Sequence, residues 1–90
     1  VKAHADCEIV NARGLHARAA TKLVRLASRF GAEVELSREG QRANAKSVMG
    51  VLLLCGAQGT FVTVEAEGED ATEAVAAIEA LIADGFGEET

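Results

Sequence analysis

The sequence predicts an α+β open-faced sandwich, a four-stranded antiparallel sheet with three helices on one face, in the order β-α-β-β-α-β-α. Two patterns carry this expectation. Three short stretches alternate apolar and polar residues, and a weaker fourth follows a turn after the second, which makes one sheet face apolar and leaves the other wet. Two longer stretches repeat apolar residues at helical spacing, and a short third lies between a serine and a glycine. Ninety residues have room for one modest core and not for two, so residues 1–90 are expected to form a single domain.

The elements follow in order. Ala3, Ala5, Cys7 and Ile9 alternate with His4, Asp6 and Glu8, a half-buried strand with His4 on its wet side. Asn11 to Gly14 reads as a loop, in which Asn11 is suited to an Asx-type hydrogen bond. A helix is expected from Ala17 to Arg29, with Ala20, Leu23, Val24, Ala27 and Phe30 at its spacing and Gly31 as the residue past its end. Ala32, Val34 and Leu36 alternate with Glu33, Glu35 and Ser37. Arg38-Glu39-Gly40 then turns the chain into a weaker strand from Gln41 to Asn44.

Ser47 is placed to cap a short helix that runs to Leu54, with Gly56 as its stop. This helix has no polar side, so parts of Val48, Met49 and Leu52 are expected at the surface. Val62, Val64 and Ala66 mark the fourth strand. Asp70-Ala71-Thr72-Glu73 reads as a capping box for a final helix carrying Ala74, Val75, Ile78, Leu81 and Ile82, which Gly85 closes. The tail from Phe86 to Thr90 is expected to fray.

Composition narrows the function. Cys7 and Cys55 are far apart, with no CxxC and no clustered histidine, so neither a disulfide framework nor a zinc site is expected and both thiols read as small packed hydrophobes. The longest apolar run, Val48 to Ala57, is too short to span a bilayer, and no secretory signal is visible; a soluble cytoplasmic protein with no membrane role is expected. Net charge is −5, but residues 11–53 carry +5 and residues 54–90 carry −9. A basic face on an acidic protein suits an acidic protein partner or an anionic ligand, and it does not suit nucleic acid. The sheet also lacks the stacking aromatics of RNA-binding modules.

That basic face contains the candidate site. His16 stands just before the first helix, where free backbone N–H groups of Ala17 and Arg18 point outward and favour anions. Imidazole is a nucleophile that accepts a phosphoryl group, and the Arg18 guanidinium is two residues away. A lone loop histidine would be an ordinary solvated side chain. With Arg18 and the helix N-terminus beside it, His16 becomes a candidate site for holding a phosphoryl group. Arg18, Lys22, Arg25 and Arg29 form one stripe along the helix, either a solvated face or a partner contact, to which Thr21 is adjacent in sequence.

The decuplet Asn11-x-x-Gly14-Leu15-His16-Ala17-Arg18-x-Ala20 resembles the active-site signature of the HPr family, the histidine-phosphorylated carriers of the bacterial phosphotransferase system. Lys46-Ser47-x-Met49-Gly50, Gln58-Gly59 and the stretch Ala66 to Ala71 extend the resemblance over essentially the whole chain. It implies the same β-α-β-β-α-β-α fold and a stoichiometric carrier rather than an enzyme with turnover, working without a cofactor. It implies acceptance on the Nδ1 of His16 from phosphorylated enzyme I, with Arg18 stabilising the phosphate, and delivery to a histidine of a IIA protein. It also implies regulatory phosphorylation of Ser47 by HPr kinase/phosphorylase, and partner contacts through Thr21, Lys22, Arg25, Val48, Met49 and Leu52. One departure stands out: the family usually has Pro where this chain has Ala19, which keeps an N–H in the first turn.

Two branches share this chemistry, one feeding sugar permeases and one regulatory, and the sequence is compatible with both. A different class, a non-catalytic interaction domain docking an acidic partner through the basic helix, shares the composition but involves no covalent step.

Overall fold

The structure is a computed structural model that describes residues 1–88. Its strands are β1 (Lys2–Glu8), β2 (Glu33–Arg38), β3 (Gln41–Asn44) and β4 (Phe61–Glu67), and its helices are α1 (Ala17–Ala27), α2 (Val48–Leu53) and α3 (Ala71–Ala83), followed by a 3-10 turn at Gly85–Gly87. The strands form one antiparallel sheet in the order β1-β4-β2-β3. β2 and β3 are joined by a tight turn at Glu39 (φ 50°) and Gly40 (φ 83°), the paired left-handed conformation that matches the twist of a hairpin.

Alternation decides which sheet face is covered. Cys7, Val34, Leu36, Ala43, Val62, Val64 and Ala66 are buried beneath the helices, whereas Lys2, His4, Asp6 and Glu8 of β1 are exposed on the other face. From the helices come Ala19, Ala20, Leu23 and Ala27 of α1, Val51 of α2, and Ala71, Ala74, Val75, Ile78 and Ile82 of α3. Small alanines let α3 approach the sheet closely, and the aliphatic side chains interdigitate between the layers. α3 lies against β1 and β4, and α1 packs on both α2 and α3.

Several local expectations change. α1 ends at Ala27 with Ser28 as its cap, so Gly31 is not the residue past the helix. Its N–H donates to Asp70 Oδ2 at 2.9 Å, and Ala32 N–H donates to Asp70 Oδ1 at 2.8 Å. That explains why the capping box does not form: Asp70 makes no side-chain cap bond to α3 because both its oxygens tie the start of β2 to the start of α3. At the end of α2 the left-handed residue is Cys55 (φ 53°), not Gly56. Gly56 instead makes room for a neighbouring side chain, since a Cβ there would lie 2.8 Å from Leu15 Cδ1 and Leu15 would have to shift. Cys7 is buried as expected, but Cys55 is exposed, because the turn after α2 carries it outward.

The tail is the largest correction. Phe86 is not frayed; it is fully buried, and Glu88 reaches back to the loop before α1. Gly85 (φ 63°) closes α3 as expected, and the turn that follows sends the Phe86 ring inward. The end of the expected frayed segment, residues 89–90, lies outside the described residues.

Candidate functional site

The loop before α1 is built on a close approach of two backbones. Gly14 takes φ 64°, and a Cβ on it would sit 2.2 Å from the Gly56 carbonyl oxygen. Only glycine fits there, for both reasons. The next residue uses that carbonyl: Leu15 N–H donates to Gly56 O at 2.8 Å. Asn11 is buried at 2 % exposure, and its Nδ2 donates to Gly14 O at 2.9 Å while Gly14 N–H donates to Asn11 O at 3.1 Å. Asn11 thus locks the loop as expected, with its amide donating rather than accepting.

This loop delivers His16 to the N-cap of α1 in extended conformation, φ −77° and ψ 177°. Its ring is half-buried, and its Nδ1 accepts from Arg18 N–H at 3.3 Å. A ring nitrogen that accepts carries no proton, so the neutral imidazole is protonated at Nε2. Nε2 in turn meets Glu88 Oε2. The Nδ1 lone pair therefore lies at the open end of α1, beside the first-turn N–H groups and the positive end of the helix dipole.

Ala17 and Arg18 are both exposed in that first turn, and the Arg18 side chain makes no hydrogen bond or ion pair among the described residues. Ala19, at the position of the family proline, is the third residue of α1 and wholly buried. Thr21 Oγ1 donates to Ala17 O at 2.8 Å. Arg18, Lys22, Arg25 and Arg29 are all exposed, so the basic stripe forms; Lys22 also donates to Phe86 O at 2.6 Å.

Ser47 is the N-cap of α2, its Oγ accepting from Gly50 N–H at 3.1 Å. Beside it, Met49 is 67 % exposed, whereas Val48 and Leu52 are half-buried. Leu53, at 69 %, completes the apolar patch and was not expected from the sequence. In a helix without polar residues nothing distinguishes the outward side, so only packing, on α1 and on β3, selects it.

Glu88 is the site residue that sequence reasoning missed. It lies in an acidic tail with no periodicity or motif to single it out. Its Oε1 accepts from Asn11 Nδ2 at 3.0 Å. The Asn11 amide, and after it the contact with His16, hold the Glu88 carboxyl below the usual carboxylate range against the opposing effect of burial.

Comparisons with known proteins find relatives that share the sequence family and the fold. The family described as PTS HPr component phosphorylation site matches residues 3–84. The phosphocarrier protein HPr of Cupriavidus necator is 49 % identical over 83 residues, covering 92 % of this chain and 93 % of that protein. Among solved structures, HPr-C-His from Thermoanaerobacter tengcongensis superposes with a TM-score of 0.94 at 41 % identity, covering 98 % of this chain and 99 % of that one. The phosphocarrier protein HPr of Bacillus anthracis gives a TM-score of 0.85 at 35 % identity, covering 89 % of this chain and 95 % of that one.

Proposed function

Given that the chain belongs to the HPr family of phosphotransferase-system phosphocarriers, we propose that His16 Nδ1 is the phosphoryl acceptor, charged by phosphorylated enzyme I and discharged to a histidine of a IIA protein. The observation that carries this reading is the orientation of the ring. Nδ1, not Nε2, is directed to the Arg18 N–H at the opening of α1. An arriving phosphoryl group would displace that weak contact and receive the first-turn N–H groups and the Arg18 guanidinium as donors. Phosphoryl transfer between histidines needs little beyond positioning and charge stabilisation, which such a site supplies. Ala19 leaves the nucleophile intact and adds one N–H to the first turn.

The docking surface in this reading joins the basic stripe of α1 to the apolar patch of α2, with Thr21, Lys22, Arg25, Val48, Met49 and Leu52 as contacts. Positive charge steers acidic partners and the apolar patch supplies the buried centre of the interface. Ser47 borders that patch. A phosphate on it, added by HPr kinase/phosphorylase, would sit well at the α2 N-terminus yet bring about two negative charges to the surface that partners cover. Among the described residues no helix is long and apolar enough to cross a membrane, which is compatible with a carrier working in the cytoplasm.

The test is incubation with enzyme I and phosphoenolpyruvate, followed by intact mass and acid treatment. One acid-labile phosphate is expected on the native chain and none on His16→Ala. Uptake by His16→Ala would move the site elsewhere, and no uptake by the native chain would favour a docking domain without a covalent step. Incubation with the kinase and ATP tests Ser47 separately: a chain that stays unmodified leaves Ser47 as a helix cap only.

A further inference from the structure

After α3 the chain does not leave the molecule. Gly85 turns it, Phe86 buries its ring, and the Phe86 carbonyl accepts from Lys22 Nζ on α1 at 2.6 Å. The next turn of chain inserts Glu88 between two residues of the His16 loop. One carboxylate oxygen accepts from Asn11 Nδ2 at 3.0 Å and the other meets His16 Nε2. The Glu88 side chain is only 14 % exposed, so this is a seated group rather than a passing surface contact. Asn11 therefore does two things with one amide, holding the loop through Gly14 and holding the carboxylate that holds the ring.

We propose that Glu88 is a positioning residue for phosphoryl transfer at His16: it grips the ring at Nε2, aims the Nδ1 lone pair out of the α1 N-terminus, and offsets the positive charge that the ring acquires on phosphorylation. The inference rests on the phosphocarrier reading of His16.

The chemistry of the step shows why a carboxylate is useful there. The Nδ1 lone pair forms the new N–P bond while the old P–N bond breaks, and the donor imidazole takes back that electron pair. The accepting ring already carries a proton on Nε2, so forming the bond at Nδ1 makes it cationic. Glu88 is the anion opposite that charge, whereas Arg13 beside it is a cation that would otherwise oppose it. The Nε2 proton stays within the Glu88–His16 pair, so no base has to remove it before the phosphate moves on. The same anion-on-imidazole arrangement orients the ring and stabilises imidazolium in hydrolytic triads. Here the ring nitrogen at the far end is the nucleophile itself.

The position of Glu88 also ties the ring to the strap. Anything that lifts residues 85–88 from α1 frees the His16 ring at Nε2, so the core packing of Phe86 and the orientation of the acceptor are one device.

Two readouts test this on the full chain. With histidine 15N-labelled, the unphosphorylated protein is expected to show a slowly exchanging, strongly downfield ring proton on His16 Nε2. Glu88→Ala removes that signal, whereas Glu88→Gln retains a protected ring N–H because its amide oxygen still accepts. With phosphorylated enzyme I as donor, both variants lose charge compensation, so kcat for transfer falls about tenfold, the worth of one partly solvated charge-assisted hydrogen bond, while KM for the carrier stays constant. A ring signal unchanged by Glu88→Ala overturns the contact. A lost signal with unchanged kcat overturns the catalytic part and leaves a structural latch. Failure of the native chain to take up phosphate would instead reject the acceptor reading, and the ring signal would still report whether Glu88 holds His16.

Discussion

Replacing Phe86 by Ala removes an aromatic ring that no solvent reaches, from a segment that local pattern alone would leave unstructured. Large-to-small changes of a fully buried Phe cost about 3–5 kcal/mol, as lost transfer energy plus the cavity left behind. A domain of this size has a total stability of roughly 5–13 kcal/mol, so the change consumes a quarter or more of it. The expected drop in Tm is at least about 12 °C. The backbone adds a second, sharper expectation. Phe86 lies at φ 58°, where an alanine keeps the left-handed strain and a glycine does not. Phe86→Gly should thus be less destabilising than Phe86→Ala by about 1 kcal/mol, the reverse of the usual ranking. Urea denaturation followed by far-ultraviolet circular dichroism measures both, since the chain has no Trp or Tyr for fluorescence. A cost below about 1 kcal/mol for Phe86→Ala, or a glycine variant weaker than the alanine one, would refute the packed strap.

Gly14→Ala puts a methyl 2.2 Å from Gly56 O at φ 64°; a loss of about 3 kcal/mol or more is expected in the same urea assay, and a neutral result would mean that the two backbones do not meet. The two thiols should differ in reactivity. Burial, and after it the charges of Glu79 and Asp6, push the Cys7 thiol up to about 11, so a thiol alkylating reagent at pH 8 should modify exposed Cys55 in the native protein and Cys7 only after unfolding, as mass spectrometry of the peptides would show. Equal labelling would contradict the burial of Cys7. Asp70 is held below the usual carboxylate value first by the Gly31 N–H, then by that of Ala32 and by Lys46. A lowered folded pKa means that its stabilisation is present above the ordinary aspartate range and lost as pH falls through the folded value. The native protein should therefore exceed Asp70→Asn in urea midpoint at pH 7, and the gap should close toward pH 2; a gap independent of pH would show that the carboxylate charge plays no part.

The elements that could be read in advance are those whose causes lie within a few residues. Alternation placed three strands, because a half-buried strand shows its two faces in every second residue, and the Arg38-Glu39-Gly40 turn placed the weaker third one, β3, beside β2. The Ser47 cap and the His16 position at the opening of α1 were legible for the same reason, since a cap bond spans only two or three residues. The HPr-like decuplet singled out His16 as the proposed acceptor because its loop, cap and first turn are contiguous. Asp70 misled for the opposite reason. Its local sequence suits a capping box, but a pair of backbone donors 38 and 39 residues away binds both its oxygens.

What the sequence determined by itself is the set of strands and helices, the fold class and the placement of His16 at a helix N-terminus, all of which follow from neighbours in the chain. What only the tertiary structure decided is what the far end of the chain does. Glu88 meets His16 across 72 residues and Lys22 meets the Phe86 carbonyl across 64. No periodicity encodes such meetings, because they arise when α1 and α3 settle on one sheet face and the turn at Gly85 sends the tail back between them. The physical reason is that local preferences are properties of short segments, whereas the partner of a tail carboxylate is set by how whole layers pack.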